Sequence, residues 1–120
     1  MTTTVLSSAQ VADFKRDGFL VVRGLFDAAE MQDIAAWTDE VEAWPETAGR
    51  HMMYFETSLK SGTDRILNRL ENFYPFHEGF RALFDGEKLR SATSDLLGEE
   101  AVLYKDKINF KLPGGDGFEL

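Results

Sequence analysis

Val102-Leu103-Tyr104-Lys105-Asp106-Lys107-Ile108-Asn109-Phe110-Lys111-Leu112 is the stretch on which the fold turns. Successive side chains of a strand point to opposite faces. Val102, Tyr104, Ile108, Phe110 and Leu112 therefore share one face, interrupted by Asp106, while Lys105, Lys107, Asn109 and Lys111 share the other. One apolar face and one basic face predict a long strand lying on a core. Pro113-Gly114-Gly115-Asp116-Gly117 follows as a turn cluster, where the chain is expected to reverse or swing out. The basic face has two readings. Lysines on a solvated strand face are ordinary and discourage edge pairing. If the face lines a barrel instead, Asn109, of a type depleted in strands, and a neighbouring lysine can bind a small anion such as a dicarboxylate.

Working back from this strand, residues 87–97 predict a helix with Leu89, Ala92 and Leu96 inward and Gly98 as its stop. Phe76, Phe80, Leu83 and Phe84 fall at helical spacing up to Gly86. Residues 66–73 fit either a helix through Ile66, Leu70 and Phe73 or a strand through Ile66, Asn68 and Leu70. Pro75, so close behind, favours the strand. Met52-Met53-Tyr54-Phe55-Glu56 reads as a strand and residues 58–64 as a loop. Asp27 and Glu30 have capping-box spacing, with Phe26 as a staple. The helix they open is expected to run to about residue 43, burying Met31, Ile34, Val41 and one edge of Trp37, until Pro45 forbids more. Ser7 and Gln10 repeat the box for a helix over residues 8–17, which carries Val11 and Phe14 and ends at Gly18. Phe19-Leu20-Val21-Val22-Arg23 then reads as a strand closed by Gly24. Helices followed by strands make the chain α+β, one domain or part of one over residues 1–120. Two or three other short strands are thin company for a long two-faced one.

The 120 residues carry 43% hydrophobic and 28% charged side chains, with 10 Phe, enough for a core. The net charge of −8 repels phosphate backbones and anionic lipids, so nucleic-acid and membrane partners are not expected. The absence of cysteine removes thiolate chemistry and disulfides and fits a reducing cytoplasm. Met1-Thr2-Thr3-Thr4-Val5-Leu6-Ser7 has neither the basic residue nor the apolar run of a secretory signal. No serine stands in Gly-x-Ser-x-Gly, and Gly114-Gly115-Asp116-Gly117 has the spacing of neither a Walker loop nor a dinucleotide fingerprint. His51 and His77 sit on separate segments, outside any His-Glu-x-x-His arrangement, so a structural or surface role is expected for each and no metal ligand is assigned.

Gln10-Val11-Ala12-Asp13-Phe14-Lys15-Arg16-Asp17-Gly18-Phe19-Leu20-Val21-Val22-Arg23-Gly24-Leu25-Phe26 resembles the opening of phytanoyl-CoA dioxygenase family proteins, in which a helix ends in Asp-Gly-Phe and leads into an apolar strand. Arg69-Leu70-Glu71-Asn72-Phe73 and Lys105-Asp106-Lys107-Ile108-Asn109-Phe110-Lys111 resemble segments that precede the family's metal motif. The resemblance implies a double-stranded β-helix, or jelly roll, that holds Fe(II) and 2-oxoglutarate and hydroxylates an unactivated carbon of a small molecule. It implies a His-x-Asp motif soon after the last strand, with a second histidine and a 2-oxoglutarate-gripping arginine much later. The 120 residues stop at Leu120, beside the expected start of that motif, and carry none of those ligands. The expectation is the N-terminal portion of such an oxygenase, inactive alone and binding neither cofactor tightly. By similarity, Lys105, Lys107 and Asn109 turn toward the barrel interior, with Asn109 as the 2-oxoglutarate contact and Lys105 behind it. The competing reading is a non-catalytic binding module that pairs its exposed long strand with a second copy.

Overall fold

The computed structural model describes residues 5–116. Met1, Thr2, Thr3 and Thr4 of the leader reading, and Gly117, Phe118, Glu119 and Leu120 after the glycine turn, lie outside the described residues. Helix α1 (Ser8–Asp17) opens on the Ser7/Gln10 capping box and closes on Gly18, whose φ of 82° is the left-handed cap that glycine adopts without strain. The Asp95 carboxylate accepts from the backbone N–H groups of Val5 and Leu6, both at 3.0 Å, and pins this end of the chain to a later helix, α4 (Glu87–Leu97).

Helix α2 (Ala28–Glu42) has the second capping box, Asp27 with Glu30, and Glu30 also pairs with Lys88 of α4 at 2.7 Å. Val41 is fully buried, and Ile34 and Trp37 pack on the same core. Met31, expected inward, is exposed. At about 100° per residue Met31 and Trp37 lie on opposite edges of the Ile34 stripe. The helix α3 (Glu78–Asp85) packs on the Trp37 edge, so that Met31 is left uncovered.

Strand β1 (Met52–Thr57) pairs antiparallel with β2 (Arg65–Glu71), and β2 pairs antiparallel with β3 (Lys107–Asn109), in the order β1-β2-β3. The segment that was open between helix and strand is therefore a strand. It ends at Asn72, whose φ is 60°, and a 3-10 turn over Tyr74–Phe76 leads to α3. Val41, Leu67, Leu70, Phe73, Phe80 and Phe110 form the core between sheet and helices. These elements establish α+β. Among the described residues no helix is long and apolar enough to cross a membrane.

Two expected strands are corrected. Residues 102–112 do not form one long strand: only Lys107–Asn109 is in the ladder, and Tyr104 is 98% exposed. Asp106 is the cause. Its carboxylate accepts from the backbone N–H of Asn72 (2.9 Å) and of Tyr74 (2.7 Å), the donors freed where β2 turns into the 3-10 segment. Satisfying that turn draws the preceding residues off the sheet, so the long edge invoked for pairing with a second copy is three residues long. Residues 19–23 make no strand either, and Phe19 is 65% exposed, because β-prone residues form a strand only where another supplies the ladder. After β3 the chain does reverse: Gly115 N–H donates to Leu112 O, and Leu59 N–H to Gly114 O at 2.8 Å. A Cβ on Gly114 would lie 2.4 Å from Ser58 Oγ, so this turn requires glycine.

Asp106→Asn keeps one acceptor oxygen and loses the charge and the second. We expect a loss of about 1 kcal/mol, read as a lower urea midpoint with an unchanged slope. An unchanged midpoint would remove the carboxylate from this account of the broken strand.

Candidate functional site

Met53, Phe55, Leu67, Leu70 and Ile108 pack one face of the sheet against the core. Alternation sends their neighbours to the opposite, uncovered face. The register orders that face into rows. Tyr54 pairs with Arg69 and Arg69 with Asn109, giving a central row across all three strands. Met52, Glu71 and Lys107 form the row on one side. On the other stands Glu56, with Asn68 reaching over from β2. The register skips Asn68, the extra residue of a bulge opposite Tyr54 and Phe55.

Arg69 is fixed from two sides. Its guanidinium carbon lies 4.4 Å above the Tyr54 ring, a cation–π contact, and its Nε is 3.4 Å from Glu71 Oε2. Glu71 is only 4% exposed, and its Oε1 lies 2.7 Å from Lys105 Nζ. Lys105, against the opposing effect of burial and with help from Tyr54 and Arg69, holds the Glu71 carboxyl below the usual carboxylate range. The same pair pushes the Lys105 ammonium above its ordinary value. Glu56 is likewise pulled down, first by the Asn68 amide, then by the Asp116 backbone N–H at 2.6 Å and the charge of Lys111. Both carboxylates on the face are thus already occupied, and the central row between them is left rich in donors.

Asn109 stands exposed in that row, beside Arg69. Lys105 lies off the sheet, but its ammonium returns to it through Glu71. Asn109 and Lys105 are thus brought to one face, linked by the Arg69–Glu71 pair. Sequence reasoning gave no role to Tyr54, Arg69 or Glu71. The signal was the alternation of Arg69 and Glu71 on a strand, obscured because that segment, although the strand was favoured, also fitted a helix.

The histidines belong to the helical side. His77 Nδ1 accepts from Phe80 N–H as the cap of α3, which puts the proton on Nε2, 2.6 Å from Glu40 Oε2. His51 packs on Trp44 at 4.7 Å between ring centroids, with Nε2 2.8 Å from Pro45 O. Among the described residues no three His, Cys, Asp or Glu side chains group to hold a metal ion. These residues do not fit an iron site.

Residues 14–119 match the family model for phytanoyl-CoA dioxygenase. The chain belongs to the phytanoyl-CoA dioxygenase family. Among the family's named relatives, the 2-aminoethylphosphonate dioxygenase of an uncultured bacterium, HF130_AEPn_1, is 46% identical over 109 residues, covering 91% of this chain and 41% of that protein. The methylphosphonate hydroxylase of Gimesia maris is 35% identical over 115 residues, 96% of this chain and 43% of that protein. A probable alpha-ketoglutarate-dependent hypophosphite dioxygenase of Stutzerimonas stutzeri is 26% identical over 107 residues, 88% of this chain and 37% of that protein. The chain spans about two-fifths of the length of these family relatives. No solved structure matches it.

Proposed function

We propose that this chain forms the N-terminal helical layer and first strands of a double-stranded β-helix hydroxylase that uses Fe(II) and 2-oxoglutarate and acts on a small phosphonate. The observation that carries the reading is the open polar sheet face, whose central row, Tyr54-Arg69-Asn109, sets the Arg69 guanidinium beside the exposed amide of Asn109. A buried-side sheet with a polar, uncovered face is what the inner wall of such a barrel requires. The accessible surface points the same way. Phe19 and Val21 expose apolar, β-prone side chains that further strands would cover. Three of the relatives are named for phosphorus oxyanions, which motivates the substrate class.

In this reading Asn109 donates its amide to a carboxylate of 2-oxoglutarate, and Lys105 acts from behind through Glu71. The cosubstrate supplies the electrons that reduce dioxygen, and the iron ligands come from outside the described residues. The residues described here bind and orient, and no bond-making step is assigned to them. The absence of cysteine suits the reducing cytoplasm as the place of action.

The test is succinate release by the complete gene product with Fe(II) and 2-oxoglutarate, with and without methylphosphonate or 2-aminoethylphosphonate. We expect phosphonate to stimulate release several-fold. Release indifferent to every phosphonate and stimulated by a carboxylate would sink the substrate class.

A further inference from the structure

We infer that Arg69, with Lys107 diagonal to it on β3, is the anchor for the phosphonate head group of the substrate, an inference that rests on the hydroxylase reading above. Arg69, Lys105 and Lys107 surround the single buried carboxylate of Glu71, so cations outnumber anions at this end of the face in a chain whose net charge is −8. Glu71 is matched by Lys105 at 2.7 Å. Its contact to Arg69, at 3.4 Å, is too long and oblique for a hydrogen bond, and the buried Arg69 Nε–H has no aligned acceptor. The Arg69 side chain as a whole is 33% exposed, so its fork is reached from the open face of the sheet.

The geometry also favours a tetrahedral oxyanion. The guanidinium is a planar fork whose carbon lies over the Tyr54 ring, and Lys107, exposed on the next strand, brings an ammonium as a second donor group. Two donor sets from different directions match oxygens that do not lie in one plane. Asn109 is Arg69's partner in the central row, so the cosubstrate contact stands one strand spacing, about 5 Å, from the anchor. That is the adjacency a hydroxylation of the bound substrate demands. Tyr54 and Glu71 are positioning residues here: they hold the guanidinium in place.

The experiment follows the Arg69 Nε–H resonance of the protein by NMR, assigned by its loss in Arg69→Lys, during separate titrations with methylphosphonate and 2-oxoglutarate. We expect a saturable shift with methylphosphonate. Arg69→Gln should weaken methylphosphonate binding at least tenfold and Arg69→Lys by less, with 2-oxoglutarate binding unchanged in both. A resonance unmoved by methylphosphonate overturns the proposal, as does one moved only by 2-oxoglutarate, which would make Arg69 a cosubstrate contact. The wild-type titration stands even if a variant fails to fold. Binding at Arg69 without phosphonate-stimulated succinate would remove the activity and leave the site. Stimulated succinate with Arg69 unmoved would do the reverse.

Discussion

Phe73→Ala is expected to cost about 4 kcal/mol and to abolish the cooperative unfolding transition at moderate temperature. Phe73 is 1% exposed and sits where the end of β2 meets the helices, its ring 5.0 Å from Phe80 in an edge-on contact and 6.1 Å from Phe84. Truncation removes the aromatic contacts and leaves a cavity between two layers that cannot close, since the Asp106 carboxylate holds the backbone on either side of Phe73. Domains of this size are stable by roughly 5–15 kcal/mol, so a loss of about 4 kcal/mol removes a large part of the margin. Phe73→Leu, which keeps most of the volume, should lose less than half as much. Urea unfolding followed by circular dichroism checks both. A loss under about 1.5 kcal/mol for the alanine variant would show that Phe73 is not the joint between sheet and helices.

The helical half was legible because its signals are local. Ser7 with Gln10, Asp27 with Glu30, and the stops at Gly18 and Gly98 each complete a cap within a few residues, and the helices begin and end where those caps stand. The sheet was less legible because its decisive bonds cross the chain. Alternation over residues 102–112 describes a strand well, but Asp106 is bound to backbone donors 32 and 34 residues away, and no local pattern reveals that competition. Residues 19–23 have the β-prone composition without the partner. The site divides in the same way. Asn109 stood out because asparagine is unusual in a strand. Arg69 and Glu71 became visible only once the register set them beside Tyr54 and Asn109. Gly79 is a further case: a Cβ there would meet the Trp37 ring at 2.4 Å, a close helix approach that composition does not announce.

Glu71→Ala is expected to destabilise the fold by about 2 kcal/mol near neutral pH and to free Arg69 from its fixed position. Removing one member of a buried ion pair can cost 3–5 kcal/mol, because the remaining charge is left uncompensated. Here Lys105 is largely solvated and Arg69 is partly so, and both recover hydration when the carboxylate is gone, which lowers the figure. The pH dependence identifies the cause. Lys105 first, then Tyr54 and Arg69, hold the Glu71 carboxyl below its ordinary value. A carboxyl whose pKa is lower in the folded than in the unfolded chain contributes stability that is complete above the unfolded value and is lost as pH falls through the folded one. The gap between the wild-type protein and Glu71→Ala should therefore be widest at neutral pH and narrow below about pH 4, as protonation removes in the wild type what the substitution removes in the variant. Urea midpoints of both proteins across pH 3 to 7 measure it, the range set by the ordinary carboxylate pKa of about 4. A gap that stays constant with pH would assign the loss to packing around the side chain instead of to its charge. Glu71→Gln separates the two, because it keeps the shape while losing the charge: its gap from the wild type should narrow over the same pH range as that of Glu71→Ala, and it should fall between the two proteins in stability.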